Sequence, residues 1–535
     1  MSEFLFHYSP VHPTTWVYLS SLLMIGLFFK FGRFWSVRNL DLVLLILLGP
    51  GLLLVHFGHE TAKQDLSLAD RAAAVFTVDR EAGDAAIVDV DAYPPEEETA
   101  EPEGLQVTPP STEETPELVI DEDGPDDIEE PLAESSAAAV EPAAEATESK
   151  LRGRSIQYVG FVWLLAVCGL LLIRLLLDPT MVRRPLLEPN LSTGGLTFVG
   201  CSLLVFLMAN VVNSQVFEND LAGPRSFEQL LAGVAEDQDT ASLRRHGPGN
   251  ALLHSVPSLA TVPLNWTDEQ TSTEGRYVRT AKAMAIISHL AVVFGIVAIG
   301  YRHFDNIKMG IGAATLYLML PYTSQMTGRV DHVLPAALLV WAILCYRRPL
   351  PAGMFIGLAI GVMYYPLFLL PLWISFYWQR GLMRFLCGVL VTLFGSVLSL
   401  VLVSADFVDF MAKVQGMFGI WLPVMERLQG VWGLGWEPVY RVPVLAAFFA
   451  ISGAMALWPP EKNLGTLLSC SAAVMVATQF WHGYGGGLYV AWYMPLLLLT
   501  IFRPNLEDRV ALTVLGEGWF PRRRRTRWSR VGRAA

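Results

Sequence analysis

The sequence predicts an all-α, polytopic transmembrane bundle, on three observations. Of its 535 residues 53% are hydrophobic and only 16% charged, where soluble domains carry about a quarter. Mean hydropathy is +0.41. Apolar runs recur from Trp16 to Phe502, and a hydrocarbon core of roughly 30 Å needs about 20 such residues as one helix. Together these exclude an ordinary soluble enzyme.

In chain order the runs fall near 16–29, 40–57, 156–176, 194–212, 281–300, 309–322, 332–346, 351–362, 365–378, 382–404, 442–458, 464–480 and 488–502, which gives thirteen crossings. The eighth and ninth form a hairpin. Both flanks of 350–379 are basic, and a single helix of that length would run about 45 Å at 1.5 Å per residue. Pro366 breaks it into two short helices joined by the turn Met363 to Pro366. Lys30, Arg33 and Arg38, Arg183 and Arg184, Arg302 and Lys308, Arg347 and Arg348, Arg380 and Arg384, and Lys462 fall in alternate loops. Basic short loops lie in the cytoplasm, so the N-terminus is expected outside and the C-terminus inside. Met1 to Thr15 holds no Lys or Arg, and no small-residue cleavage site follows the first run, so that span is expected to stay.

The formal charge of -12 averages two unlike parts. Residues 81–149 hold 23 acids and no Lys or Arg, leaving 27 of the 50 acids against all 38 bases elsewhere. The body of the protein is therefore basic. Cys168, Cys201, Cys345, Cys387 and Cys470 all lie in or beside apolar runs without CxxC spacing, and read as small core residues.

These boundaries divide the chain into a two-span hairpin (1–59), an acidic, mostly disordered outer insertion (60–155) and two further spans (156–213). An outer loop or cap (214–280) carries a short helix near 227–234. A helical core (281–502) includes an interfacial outer segment (406–441), and a basic cytoplasmic tail (503–535) closes the chain. The insertion is rich in Pro, Ala and Glu, a composition that cannot bury enough apolar surface to fold. In 406–441, Phe407, Phe410, Trp432 and Trp436 stand beside charges, the pattern of helices in the headgroup plane. The tail's nine arginines suit anionic lipid. No nucleic-acid recognition motif is present.

Gly328-Arg329-Val330-Asp331, Arg347-Arg348, Ala352-Gly353 through Gly357-Leu358-Ala359, Met363-Tyr364-Tyr365-Pro366, and late Trp481-His482, Tyr489, Trp492 and Pro495 succeed one another over about 200 residues. This succession resembles the GT-C class of multi-span glycosyltransferases, especially the polyprenol-phosphate-mannose-dependent mannosyltransferases. There an outward turn is followed by a basic loop, an AGxxxGLA helix, a Lys-x-Tyr-Pro turn and a second short helix. The resemblance implies a lipid-phosphate sugar donor at the outer membrane face. Two departures stand out. Met363 replaces the lysine expected to meet the lipid phosphate, and no acidic pair marks the first outward loop.

Transfer from a lipid-phosphate sugar needs a carboxylate to take the acceptor proton and a cation for the departing phosphate. Glu60, Asp65, Glu218, Asp220 and Asp331 are the candidate bases, and the sequence does not choose among them. Arg329 is the candidate phosphate contact, since a guanidinium stays charged and grips phosphate with two hydrogen bonds. Arg329 and Asp331 equally fit the simple start of a helix, where an acid is favoured by the dipole. Tyr364, Tyr365, His482, Tyr489 and Trp492 are candidate sugar or lipid contacts, or else members of an interfacial aromatic belt. His332 and His482 have no metal-ligand spacing, so no metal or other cofactor is expected.

The sequence thus points to an integral membrane glycosyltransferase, with bilayer lipid and a polyprenol-phosphate sugar as partners and an unidentified acceptor, in a membrane expected to be the bacterial inner one. The alternatives are a non-catalytic membrane scaffold, a degenerate relative of such transferases, and a transporter. For a transporter, mid-span charges are scarce, Asp41 and Arg174 sit toward span ends, and no internal repeat is visible.

Overall fold

The computed structural model describes residues 11–84, 132–181, 187–232, 247–265, 273–418, 428–460 and 462–504. Of the described residues 83% are helical and none forms a strand. Its helices are α1 (Pro13–Phe28), α2 (Val37–Asp84), α3 (Leu132–Leu177), α4 (Thr193–Asn213), α5 (Glu218–Ala232), α6 (Pro248–Asn265), α7 (Thr273–Arg302), α8 (Ile307–Met319) and α9 (Pro321–Gln325). Next come α10 (Val330–Leu344), α11 (Pro349–Val362), α12 (Leu370–Tyr377), α13 (Leu382–Val403), α14 (Phe407–Phe418), α15 (Arg441–Leu457), α16 (Leu464–Trp481) and α17 (Met494–Phe502).

Among the described residues, seven helical stretches are long and apolar enough to cross a membrane: Val37–Thr61, Leu151–Thr180, Thr193–Asn213, Thr273–Arg302, Leu382–Val403, Pro438–Leu457 and Leu464–Trp481. Five shorter apolar helices accompany them. The run expected to cross at 488–502 is helical over only the nine residues of α17, preceded by a turn of 3-10 helix at Val490–Trp492. At 1.5 Å per residue α17 extends about 14 Å, roughly half a hydrocarbon core. The hairpin breaks where Pro366 places it, between α11 and the 3-10 turn Tyr365–Leu369 that leads into α12.

The chain forms two compact units, one of residues 1–56 and 156–535 and one of residues 57–155. In the second, the described residues are helical: α2 continues to Asp84 and α3 begins at Leu132. The helical piece expected at the start of the insertion thus lies within the longer helix that runs to Asp84. A stretch rich in Ala and Glu that cannot pack a core still favours helix locally. Residues 85–131 and the arginine-rich part of the tail lie outside the described residues.

Two features of the larger unit position its functional residues. Gly353, Gly357 and Gly361 form a stripe at four-residue spacing on α11 and face Gly388, Thr392 and Ser396 on α13. A methyl at Gly353 would overlap the Phe385 carbonyl, and one at Gly388 the Leu350 carbonyl. Small residues at this spacing let two helices approach to backbone contact, the device that replaces the hydrophobic effect inside a bilayer. The second feature is the centre. The apolar window of α16 is 94% buried and every residue of α17 is buried, so the last two helices are wrapped by the rest.

Pro50 lies within α2, where it cannot donate a backbone hydrogen bond. The Trp163 indole of α3 donates to the nearby Leu47 carbonyl at 2.7 Å, the kind of neighbour bond that lets a membrane helix tolerate proline. The α2–α3 pair is also tied by charge. Arg174 grips Asp41 through Nε and Nη2 at 2.8 and 3.0 Å and Asp178 through Nη1 at 2.9 Å. Arg503, just past α17, takes the other oxygen of Asp178 at 2.9 Å. All four side chains are buried. The five cysteines are free, as their spacing predicts, but only Cys168 and Cys470 are core residues; Cys345 is half-buried and Cys201 and Cys387 are exposed on helix faces.

Candidate functional site

The site is built where α5, α10 and the segment before α17 meet. Helix α5 starts nine residues earlier than the short helix expected at 227–234, and its first turn carries Glu218 and Asp220, where the helix dipole favours acids. Glu218 is exposed and 3.6 Å from Arg225. Asp220, two residues on, points inward and is buried. Its Oδ1 accepts the Val330 N–H at 3.0 Å, and the Asp331 N–H adds a second backbone bond. Arg329, the N-cap residue of α10, supplies no side-chain cap to its own helix. Asp220 therefore caps α10 from another helix, satisfying amides a helix start leaves open.

Arg329 lies between two carboxylates. Its Nε is 3.0 Å from Asp220 Oδ2 and its Nη2 is 3.0 Å from Asp331 Oδ2. The first contact is a charge pairing out of line for an N–H···O hydrogen bond, so Oδ2 of Asp220 accepts none among the described residues. Phe217 packs under the guanidinium, 4.9 Å from its ring centroid. Burial first, and then the charge of Asp331, push the Asp220 carboxyl up to about 8 against the opposing pull of Arg329 and the two backbone amides.

From Asp331 the site continues into aromatic rings. The Trp492 indole donates to the Asp331 carbonyl at 3.1 Å. His332, the next residue on α10, shares a hydrogen bond with the Tyr322 hydroxyl and stacks on Tyr489 at 4.4 Å. Tyr489 in turn meets His482 at 4.5 Å and Trp492 at 4.4 Å. Tyr365 lies 4.9 Å from His482, 5.2 Å from Trp492 and 5.3 Å from Trp481, and stacks on Tyr364 at 4.1 Å. All five aromatic or imidazole side chains singled out in the sequence thus form one cluster, joined to Asp331. The two histidines, 150 residues apart in the chain, sit on the same tyrosine.

The other candidate acids stand elsewhere. Glu60 is exposed on the part of α2 that belongs to the second unit, and the Asp65 side chain lies outside the described residues. Sequence reasoning missed Tyr322, Phe217 and Arg441. Arg441 begins α15 and is buried, its Nη2 and Nε donating to the Trp481 carbonyl at 2.8 and 3.3 Å. Only its place at the end of the aromatic outer segment hinted at it. Among the described residues no group of three His, Cys, Asp or Glu side chains is placed to hold a metal ion.

Fold and site together define a polytopic helical membrane protein with a buried acid–arginine–acid cluster beside an aromatic box. Residues 255–481 match the sequence model of Glycosyltransferase family 87, which with the apolar helices fits a membrane glycosyltransferase. That match takes in Arg329, Asp331, the hairpin and Trp481, but neither Asp220 nor Tyr489. No match is found among curated proteins or among solved structures.

Proposed function

We propose that the protein transfers a sugar, of the mannose type by resemblance, from a polyprenol-phosphate donor to an acceptor hydroxyl at the outer face of a bacterial inner membrane, with thirteen crossings, N-terminus out and C-terminus in. Asp220 is the general base. The observation that carries this is its position: of the four outer-loop acids weighed in the sequence, Asp220 is the one seen to pair with Arg329, at 3.0 Å. Its Oδ1 is held by the Val330 amide while Oδ2 takes no hydrogen bond among the described residues, which leaves Oδ2 to receive the proton. As the acceptor oxygen bonds to the anomeric carbon, the bond from that carbon to the phosphate oxygen breaks, and the acceptor proton passes to Oδ2. A base is most effective when its pKa lies near the working pH, and burial brings Asp220 toward that range.

Arg329 then serves as the cation that orients Asp220. Shared by two carboxylates, it has no net charge to offer a phosphate, which shifts its role from the one its sequence position suggested. Tyr365, His482, Tyr489 and Trp492 offer ring faces for the sugar and the first isoprene units. The scaffold alternative expects no carboxylate gathered on Arg329, so the Asp220 pairing counts against it.

The test is transfer from radiolabelled polyprenol-phosphate mannose into lipid by the purified full-length protein, wild type against Asp220→Asn. Transfer by the wild type that Asp220→Asn abolishes, with Glu218→Gln unaffected, is the expected result. Equal transfer by wild type and Asp220→Asn removes Asp220 as the base.

A further inference from the structure

We infer that the three short loops joining α7 to α8, α10 to α11 and α12 to α13 form one binding site for the phosphate of an anionic phospholipid. Packing brings the loops together. His303 Nε2 lies 2.9 Å from the Leu344 carbonyl, and its ring meets that of Tyr346 at 4.8 Å. The Tyr377 hydroxyl donates to the Tyr346 carbonyl at 2.5 Å, and a methyl at Gly381 would lie 2.9 Å from the Pro349 ring. Residues 301–308, 344–350 and 377–384 carry six cations, Arg302, Lys308, Arg347, Arg348, Arg380 and Arg384, against one acid, Asp305, a surplus of five positive charges. None of the six makes an ion pair among the described residues.

The helix ends do not offset this surplus. Helices α7, α10 and α12 end here and α8, α11 and α13 begin here, so three negative dipole ends meet three positive ones, each worth about half a charge. The buried arginines Arg174, Arg329 and Arg503 each reach a carboxylate, whereas these six cations are left to solvent or to an anion from outside the chain. Basic loops are expected on the cytoplasmic side, which accounts for their sign but not for their meeting in one place. The apolar side chains say which anion fits. Tyr301, Ile307, Trp378 and Met383, in or beside the same loops, are exposed, as suits span ends at the level of lipid headgroups. A soluble phosphate has no use for such groups, whereas a phospholipid offers its phosphate to the guanidinium groups and its chains to the apolar ones. Basic pockets between helix ends on the cytoplasmic side are where anionic headgroups bind.

The experiment is native mass spectrometry of the full-length protein, released from detergent micelles after titration with phosphatidylglycerol, with phosphatidylcholine of the same chains, and with glycerol 3-phosphate. Wild type is expected to prefer phosphatidylglycerol to phosphatidylcholine by about 25-fold or more, two cations at about fivefold each. The double variant Arg347→Gln, Arg348→Gln is expected to lose most of that preference. Arg33→Gln, in the basic loop between α1 and α2, is expected to keep it, and Asp220→Asn is expected to bind as wild type does, so the outcome does not depend on sugar transfer. No preference in wild type, or one undiminished in the double variant, overturns the site. An equal loss in Arg33→Gln overturns it in favour of general surface charge, and glycerol 3-phosphate binding as tightly as the lipid reassigns it to soluble phosphates. Should the double variant fail to fold, Arg380→Gln with Arg384→Gln replaces it under the same readout, and an undiminished preference there likewise overturns the site.

Discussion

Helix α17 has a buried charge cluster near each end, and the two are built differently. Beyond its C-terminus, Asp41, Arg174, Asp178 and Arg503 make, among the described residues, two acids and two arginines linked by well-aligned hydrogen bonds of 2.8 to 3.0 Å. Before its N-terminus, Asp220, Arg329 and Asp331 make, among the described residues, two acids and one arginine, with one contact out of line. The balanced cluster joins α2, α3 and the residue just past α17, and behaves as a brace. The other holds a carboxyl pushed up to about 8 beside a cluster of aromatic rings. Balance and alignment suit a brace, whereas a perturbed carboxyl beside a cluster of rings is the kind of place where functional sites are found.

Neutralising one charged group at each end puts the contrast at greatest risk. Asp220→Asn is expected to lower transfer about 1,000-fold, the middle of the range for general base catalysis, while its melting temperature in detergent stays close to wild type. Arg174→Leu is expected to do the reverse. It removes the arginine from Asp41 and leaves Asp178 with Arg503, and breaking a buried pair costs about 3–5 kcal/mol, read as a large drop in thermal stability. If Arg174→Leu melts like wild type, the brace interpretation fails.

A pH profile separates the two clusters further. Asp220 is protonated below its pKa of about 8 and acts as a base only when ionised, so transfer rises with pH through that value. Between pH 7 and 9 the ionised fraction, and with it the rate, grows about tenfold by simple titration. A rate that is flat from pH 6 to 9 speaks against an ionising carboxyl at this step. The smallest expected effect is that of Trp492→Phe, which keeps a ring but removes the indole N–H from the Asp331 carbonyl. The loss of about 1 kcal/mol for one hydrogen bond is a few-fold drop in transfer, measured at saturating donor.

Much of the fold was legible because the signal is local. Apolar runs give helices, Pro366 ends one, and the glycine stripe of α11 can be read from its spacing. The run at 488–502 is helical over only the nine residues of α17, a break that hydropathy alone does not show because it does not distinguish a helix facing lipid from one buried in protein. Both are apolar, and α17 is short because the aromatic site occupies the first half of that run. In the insertion, composition argued against a packed core, but absence of a core is not absence of helix.

The site was legible only in halves. Arg329 and Asp331 are neighbours in the chain, and the turn, His482, Tyr489 and Trp492 stand out as clustered aromatics at span ends. The choice of Asp220 among four acids was not available, because Glu218 lies two residues away in the same helical turn and differs only in the direction it points. Arg441 carried no motif at all.

The sequence by itself determined the helices, their apolar faces and the residue types at their ends, since each arises from interactions within a few residues along the chain. Only the tertiary structure decided which acid meets Arg329 and which four charges form the brace. The long pairings span 110 residues or more, as between Asp220 and Val330 or Asp178 and Arg503. In buried surroundings a charge must find its partner wherever the helices bring one.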